Sequence, residues 1–131
     1  MSIETADALM GIFGLHRAVT VKTVWLQLRT VSEMNVRTHW ATRAKRTKAA
    51  RRTAAALCPP ASLPCAVYLT RYSAGTLDDD NLRSALKAVR DGIADRLGVA
   101  DNDPRVEWHY EQAKCKRGAY DVYVMIEEKG E

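Results

Sequence analysis

The segment Leu77-Asp78-Asp79-Asp80-Asn81-Leu82 opens the run that decides the fold, Asp80 to Leu97. Within it Leu82, Ala85, Leu86, Val89, Ile93 and Leu97 fall at offsets 0, 3, 4, 7, 11 and 15. Those offsets mark one face of a helical period of about 3.6 residues, so the spacing predicts a helix over 80–97. Asp79 or Asp80 is placed to cap its start, and Gly98 suits the position just past its end.

C-terminal to this helix, Val106, Trp108 and Tyr110 alternate with Glu107, His109 and Glu111, which predicts a strand with one covered face. Lys116-Arg117-Gly118 reads as a turn, and Tyr120, Val122, Val124 and Ile126 alternate as the last strand. Upstream, Leu63 to Tyr72 reads as a strand bounded by Pro64 and Ser73-Ala74-Gly75. Ala41 to Leu57 is rich in helix formers and stops at Pro59-Pro60. Val19 to Val31 reads as a strand with Val24, Leu26 and Leu28 on one face, followed by a polar loop at 32–35. Ile3, Ala6, Leu9, Met10 and Phe13 suggest a short amphipathic helix, limited by Gly11 and Gly14. Residues 1–18 are read as an N-terminal extension to a domain over 19–131. The order β-α-β-α-β-β predicts a single α+β domain, a mixed sheet with two main helices packed on one face. Trp25 and Trp108 are expected in the core, and Tyr110 and Tyr123 in structural roles.

At 131 residues, 47% hydrophobic and 27% charged, the chain has the balance of an ordinary globular protein. No stretch approaches the roughly 20 apolar residues that span a bilayer. Met1 to Phe13 carries Glu4 and Asp7 but no Lys or Arg, so no secretory signal and a cytoplasmic location are expected. Cys58, Cys65 and Cys115 are odd in number and form no CxxC pair, which predicts reduced, buried thiols. His16, His39 and His109 are too scattered to complete a zinc site with them. The net charge of +4 is unevenly spread. Residues 1–34 balance at three basic and three acidic, residues 35–77 hold eight basic and no acidic, and residues 78–131 hold nine basic and thirteen acidic. A cationic middle beside an anionic end suits a protein that grips phosphate with one part and a divalent cation with the other.

Capping a helix needs one aspartate; three in a row repel one another, a cost that a bound cation offsets. In extended backbone Asp78 and Asp80 point to the same side. Asp103 follows the helix, whose length is roughly 27 Å at about 1.5 Å per residue. It rejoins the first pair only if the next strand runs back or a second subunit supplies it. Such hard oxygen donors suit Mg²⁺ or Mn²⁺, which would activate water and stabilise charge on a scissile phosphate. A calcium-loop reading fails, because its sixth position would be Arg83 rather than glycine and its twelfth Val89 rather than glutamate. Arg37, Arg43, Lys45, Arg46, Lys48, Arg51 and Arg52 have no acidic neighbour among them. A solvated helix face is the plain account, but missing i,i+4 acid partners weigh against it and towards contact with a phosphate backbone.

Leu77 to Leu82, the helix after it, and Asp101-Asn102-Asp103-Pro104-Arg105-Val106 together resemble the RusA family of Holliday junction resolvases, which read D-x-D-N-L-x-K, a helix, then D-D-x-x-V. The match covers residues 63–127 best, and Asn35 and Arg37 resemble the family's N-terminal Asn/Arg loop. The resemblance implies that Asp78, Asp80 and Asp103 bind Mg²⁺. It further implies a homodimer that makes paired nicks in branched DNA. Ser84 stands where the family has lysine, and Lys87, one turn on, is the candidate to replace it by reaching back. Asn102 stands where the family often has aspartate. Two other readings compete: a nucleic-acid-binding module that has lost catalysis, and a structural domain whose acidic run is only a capped helix start.

Overall fold

A computed structural model describes residues 2–5, 20–31 and 40–130. The elements are β1 (Ser2–Thr5), β2 (Thr20–Leu26), α1 (Trp40–Leu57), β3 (Cys65–Ser73), α2 (Asp79–Leu97), β4 (Val106–Lys114) and β5 (Asp121–Glu128). They form one five-stranded sheet in the order β1-β2-β5-β3-β4. Among the described strands only β3 and β4 pair in parallel, and α2 is the crossover that parallel neighbours require. The predicted β-α-β-α-β-β order and mixed sheet are therefore present, with β1 added at the edge. Ser2–Thr5 is a strand paired antiparallel with β2, so the helix expected to begin at Ile3 does not begin there. The rest of that expected helix, His16, the loop at 32–35, Arg37 and His39 lie outside the described residues.

The register shows why one face is buried. Val24 pairs with Val124, Leu26 with Val122, Leu69 with Val124, and Val67 with Ile126. Paired residues share a face, so these side chains form one apolar layer. The apolar face of α2 lands on it, with Leu86, Val89 and Ile93 fully buried in the same cluster. Each such side chain contributes about 1.5–3 kcal/mol by leaving water. Strand parity corrects the reading of Trp25: its neighbours Val24 and Leu26 face the helices, so it faces the other side, 52% exposed. There it contacts Tyr123 and Tyr72 at ring-centre distances of 4.6 and 5.2 Å. Trp108 is half-buried and packs against the core.

Helix α1 is held differently. Its one buried residue is Ala54. It meets α2 where Gly92 leaves no room for a side chain, since a Cβ there would sit 2.2 Å from the Arg51 carbonyl oxygen and 2.7 Å from the Ala54 Cβ. Arg51 forks onto Asp95 at 2.7 and 2.8 Å, and Arg96 donates to the Cys58 carbonyl at 3.1 Å. These contacts advance in the same sense along both helices. Cys58 and Cys65 are buried and Cys115 is only partly so; all three are free thiols. Burial pushes the Cys58 thiol up to about 12. No described helix is long and apolar enough to cross a membrane.

Candidate nucleic-acid and metal site

The exit of β3 carries the three aspartates into α2. Asp78, not Asp79 or Asp80, is the cap: its backbone is extended (φ −69°, ψ 173°) and its Oδ1 accepts from the Asn81 backbone N–H and side-chain amide, both at 2.9 Å. Which of three adjacent aspartates caps a helix depends on where the backbone leaves the extended region, and composition does not reveal that. Asp79 and Asp80 fall in the first turn, exposed beside the positive end of the helix dipole. The loop before them is tied to β4, because the Leu77 N–H donates to Gln112 Oε1 at 2.9 Å and the Gln112 amide donates to the Leu77 carbonyl at 2.6 Å.

Asp103 lies elsewhere. Strand β4 does run back alongside β3, but Asp103 precedes it, and Val106 pairs with Cys65 at the entrance of β3. The nine residues of β3 span roughly 26 Å at about 3.3 Å per residue. Asp78 beyond its exit and Asp103 near its entrance therefore sit towards opposite ends of the sheet. Asp103 instead clasps Arg105, whose guanidinium donates to both carboxylate oxygens at 3.1 and 2.8 Å, and the Arg105 side-chain and backbone bonds hold its pKa down at about 2. Among the described residues, no three carboxylates, histidines or cysteines gather into a metal-binding group.

Asp101 is the carboxylate that reaches back. It lines a cleft of about 500 Å³ together with Asp80, Arg83, Ser84, Lys87, Arg90 and Tyr110. Lys87 Nζ lies 3.3 Å from Asp91 and 3.7 Å from Asp101. Arg90 donates to the Tyr110 hydroxyl at 2.7 Å and to the Asp101 carbonyl, and its guanidinium lies 4.7 Å from the Trp108 ring centre. The Trp108 indole N–H bonds the same Asp101 carbonyl at 3.0 Å, which fixes the turn that presents the carboxylate. Motif spacing alone does not single out Asp101, Arg83 or Arg90. The available signal was the polar stripe Asp80, Arg83, Ser84, Lys87, Arg90 and Asp91, whose three- and four-residue spacing runs along one side of α2.

A second hollow, a groove of about 520 Å³, lies between the N-terminal parts of α1 and α2. Arg43, Arg46, Lys48 and Arg51 line it from α1, and Arg29 from the chain leaving β2. Four of the predicted DNA-contacting residues thus share one groove. Lys45 and Arg52 are exposed on α1, and Asn35 and Arg37 lie outside the described residues. Buried Arg71 sets one wall: its Nε donates to Thr30 Oγ1 at 3.1 Å and an Nη to the Thr30 carbonyl at 3.2 Å. Burial lowers its pKa. Ser84 and Lys87 line both the groove and this cleft of mixed charge, so the two form one continuous surface. No family model matches the chain, and comparison with curated proteins returns no match.

Proposed function

We propose that the protein is a RusA-like, Mg²⁺-dependent endonuclease acting on branched DNA. The observation that carries this reading is the continuity between a cationic groove and the cleft that holds Asp80 and Asp101 among Arg83, Lys87 and Arg90, joined at Ser84 and Lys87. The cations hold a phosphate backbone without reading base sequence. Asp78 and Asp80 supply hard oxygen donors of the kind Mg²⁺ takes, and that ion binds through about one or two carboxylates together with waters and substrate phosphate. Asp78 keeps its second oxygen for this, since only Oδ1 serves the cap. When bound, the cation activates water for attack on the phosphodiester and offsets the charge that develops. Lys87 stands between phosphate and carboxylates and takes the place of the lysine absent at Ser84. Asp103 joins such a site only from a second copy, given its place at the far end of β3. A homodimer fits the paired nicks, and the open sheet face bearing Trp25, Tyr72 and Tyr123 is the surface offered to the partner, since exposed aromatic side chains concentrate at interfaces.

A labelled four-way junction and a matching linear duplex, each with and without Mg²⁺, test the reading. Wild type nicks the junction only with the metal, and Asp80→Asn loses cleavage while still binding. Unchanged nicking by Asp80→Asn overturns the assignment. The capture of Lys87 by Asp91 and Asp101 favours one alternative, a junction-binding module without catalysis. That alternative predicts salt-sensitive binding and no nicking by the wild type.

A further inference from the structure

One end of the sheet, where β2, β3 and β4 leave and β5 begins, gathers cations. Register sets the place: Leu26 pairs with Val122, Tyr72 with Asp121, and Ser73 with Lys114. Arg29, Lys114, Lys116 and Arg117 stand at this end, all exposed and none in an ion pair among the described residues. Buried beside Arg29 is Arg71, 7% exposed. Its hydrogen bonds go to the Thr30 hydroxyl, the Thr30 carbonyl and the Gly75 carbonyl at 3.1, 3.2 and 3.4 Å, all neutral oxygens. Buried charges are ordinarily paired, so this guanidinium adds to the field at the surface instead of being cancelled beneath it. Asp121, the acid nearest Arg117 in sequence, opens β5 on the other sheet face from Arg71 and forms no ion pair among the described residues.

The turn from β4 to β5 is tied by its own bonds. The Cys115 N–H donates to the Ser73 carbonyl and the Ala119 N–H to the Lys116 carbonyl, both at 3.0 Å, and the Cys115 thiol donates to the Ala119 carbonyl at 2.9 Å. Gly118 closes the turn in the left-handed conformation at φ 92°. Lys116 and Arg117 are thereby held out at its tip. Lys114 lies two residues beyond Gln112 on the same face, and Gln112 grips Leu77 just before the aspartates. Arg29 links this end to the groove: it lines the groove, and its guanidinium lies 4.7 Å from the ring centre of Tyr120, the residue before β5.

We infer that the β4–β5 turn, together with Arg29, is a second contact for the phosphate backbone of DNA, beyond the groove on α1. This rests on the nuclease reading and deepens it by adding a surface to the substrate contact. Three features select that occupant. The first is charge that is free to act: none of these four exposed cations has an ion pair to break before a phosphate binds. The second is length. From β2 across β5 and β3 to β4 there are three strand spacings, roughly 14 Å at about 4.8 Å each, the axial run of about four phosphates along one strand of a duplex. The third is shape. A turn tip is convex and offers charge without a pocket, which suits a polymer whose charges recur along it and leaves base identity unread.

The test uses the whole protein without Mg²⁺ and a labelled linear duplex, with affinity followed from low to high salt. Each phosphate contact contributes about 0.9 to the slope of log affinity against log salt concentration, so Lys114→Gln, Lys116→Gln and Arg117→Gln combined are expected to flatten the slope by about 2–3. The melting midpoint is expected to stay unchanged. Lys116→Gln alone is expected to flatten the slope by about 0.9, and it keeps the test valid even where the triple variant unfolds. Arg105→Gln removes one positive charge just before β4, at the opposite end of that strand, and is expected to leave the slope as in wild type. An unchanged slope in the turn variants overturns the inference, as does an equal change from Arg105→Gln, which would report net charge alone. Absence of duplex binding by wild type overturns it too. Loss of binding to phosphatidylserine vesicles in the triple variant, with duplex binding intact, overturns it in favour of a lipid surface. Adding Mg²⁺ and a four-way junction afterwards separates the two claims. A flattened slope in the turn variants without nicking by wild type sinks the nuclease reading alone, and nicking by wild type with an unchanged slope in those variants sinks the turn assignment alone.

Discussion

Helices α1 and α2 are nearly equal in length yet owe their stability to different causes. Helix α2 buries Leu82, Ala85, Leu86, Val89, Ile93 and Ala94, carries acidic residues in its first turn and Arg96 in its last, and ends on Gly98 in the left-handed conformation at φ 74°. Helix α1 buries only Ala54 and has no acidic residue in its first turn and no basic one in its last. One helix is required by the core. The other is carried by the intrinsic preference of its Ala, Arg and Lys residues and by contacts at its C-terminal end. A helix the core does not consume turns most of its side chains outward, which is why the cationic groove is built on α1 while α2 sets the position of the carboxylates.

This contrast can be broken at graded cost. The largest effect is expected from Leu86→Ala, which removes a fully buried side chain and lowers stability by about 2–5 kcal/mol in denaturant melts. Arg52→Ala at an exposed position of α1 is expected to leave the midpoint unchanged. A comparable loss from both would mean that α1 is no less a core element than α2. Next comes Gly92→Ala. Helix propensity alone would make it stabilising by about 1 kcal/mol. The Arg51 carbonyl at 2.2 Å reverses that sign, and a net loss of about 1–3 kcal/mol is expected. A gain would show that the helices separate freely. The smallest effect concerns Asp103. Its carboxyl is held down at about 2 by Arg105, below the ordinary value of about 3.9. A depressed carboxylate stabilises the fold above its unfolded pKa, so this contribution is complete at neutral pH and fades between about pH 4 and 2. Arg105→Gln should return the Asp103 titration, followed by carboxyl-carbon NMR, to the ordinary range. A titration still near 2 would place the cause elsewhere.

Much of the fold could be read from periodicity. The offsets from Leu82 to Leu97 and the alternation from Val122 to Ile126 needed only one element at a time. Helix α1 was also legible, through propensity rather than amphipathic pattern. Trp25 departs from expectation because residue type suggests burial while strand parity, set by Val24 and Leu26, puts it on the open face. The site was less legible for a physical reason. Whether Asp101 or Asp103 shares a cleft with Asp80 depends on β4 lying parallel to β3 and on Arg90 and Trp108 pinning the turn between, and neither is a local property. The cations of α1 stand out as a group in the sequence, but the groove they line exists only once α2 stands beside them.

The two bonds between Gln112 and the backbone of Leu77 have a consequence for any ligand at the acidic turn. A side-chain amide offers one donor and one acceptor in the geometry of a peptide unit, so Gln112 acts as a surrogate strand partner for the residue just before the aspartates. The chain leaving β3 is thereby fastened to the sheet before anything binds. Ordering entropy at that point is spent during folding rather than at association, and a ligand arriving there meets a backbone already set in place.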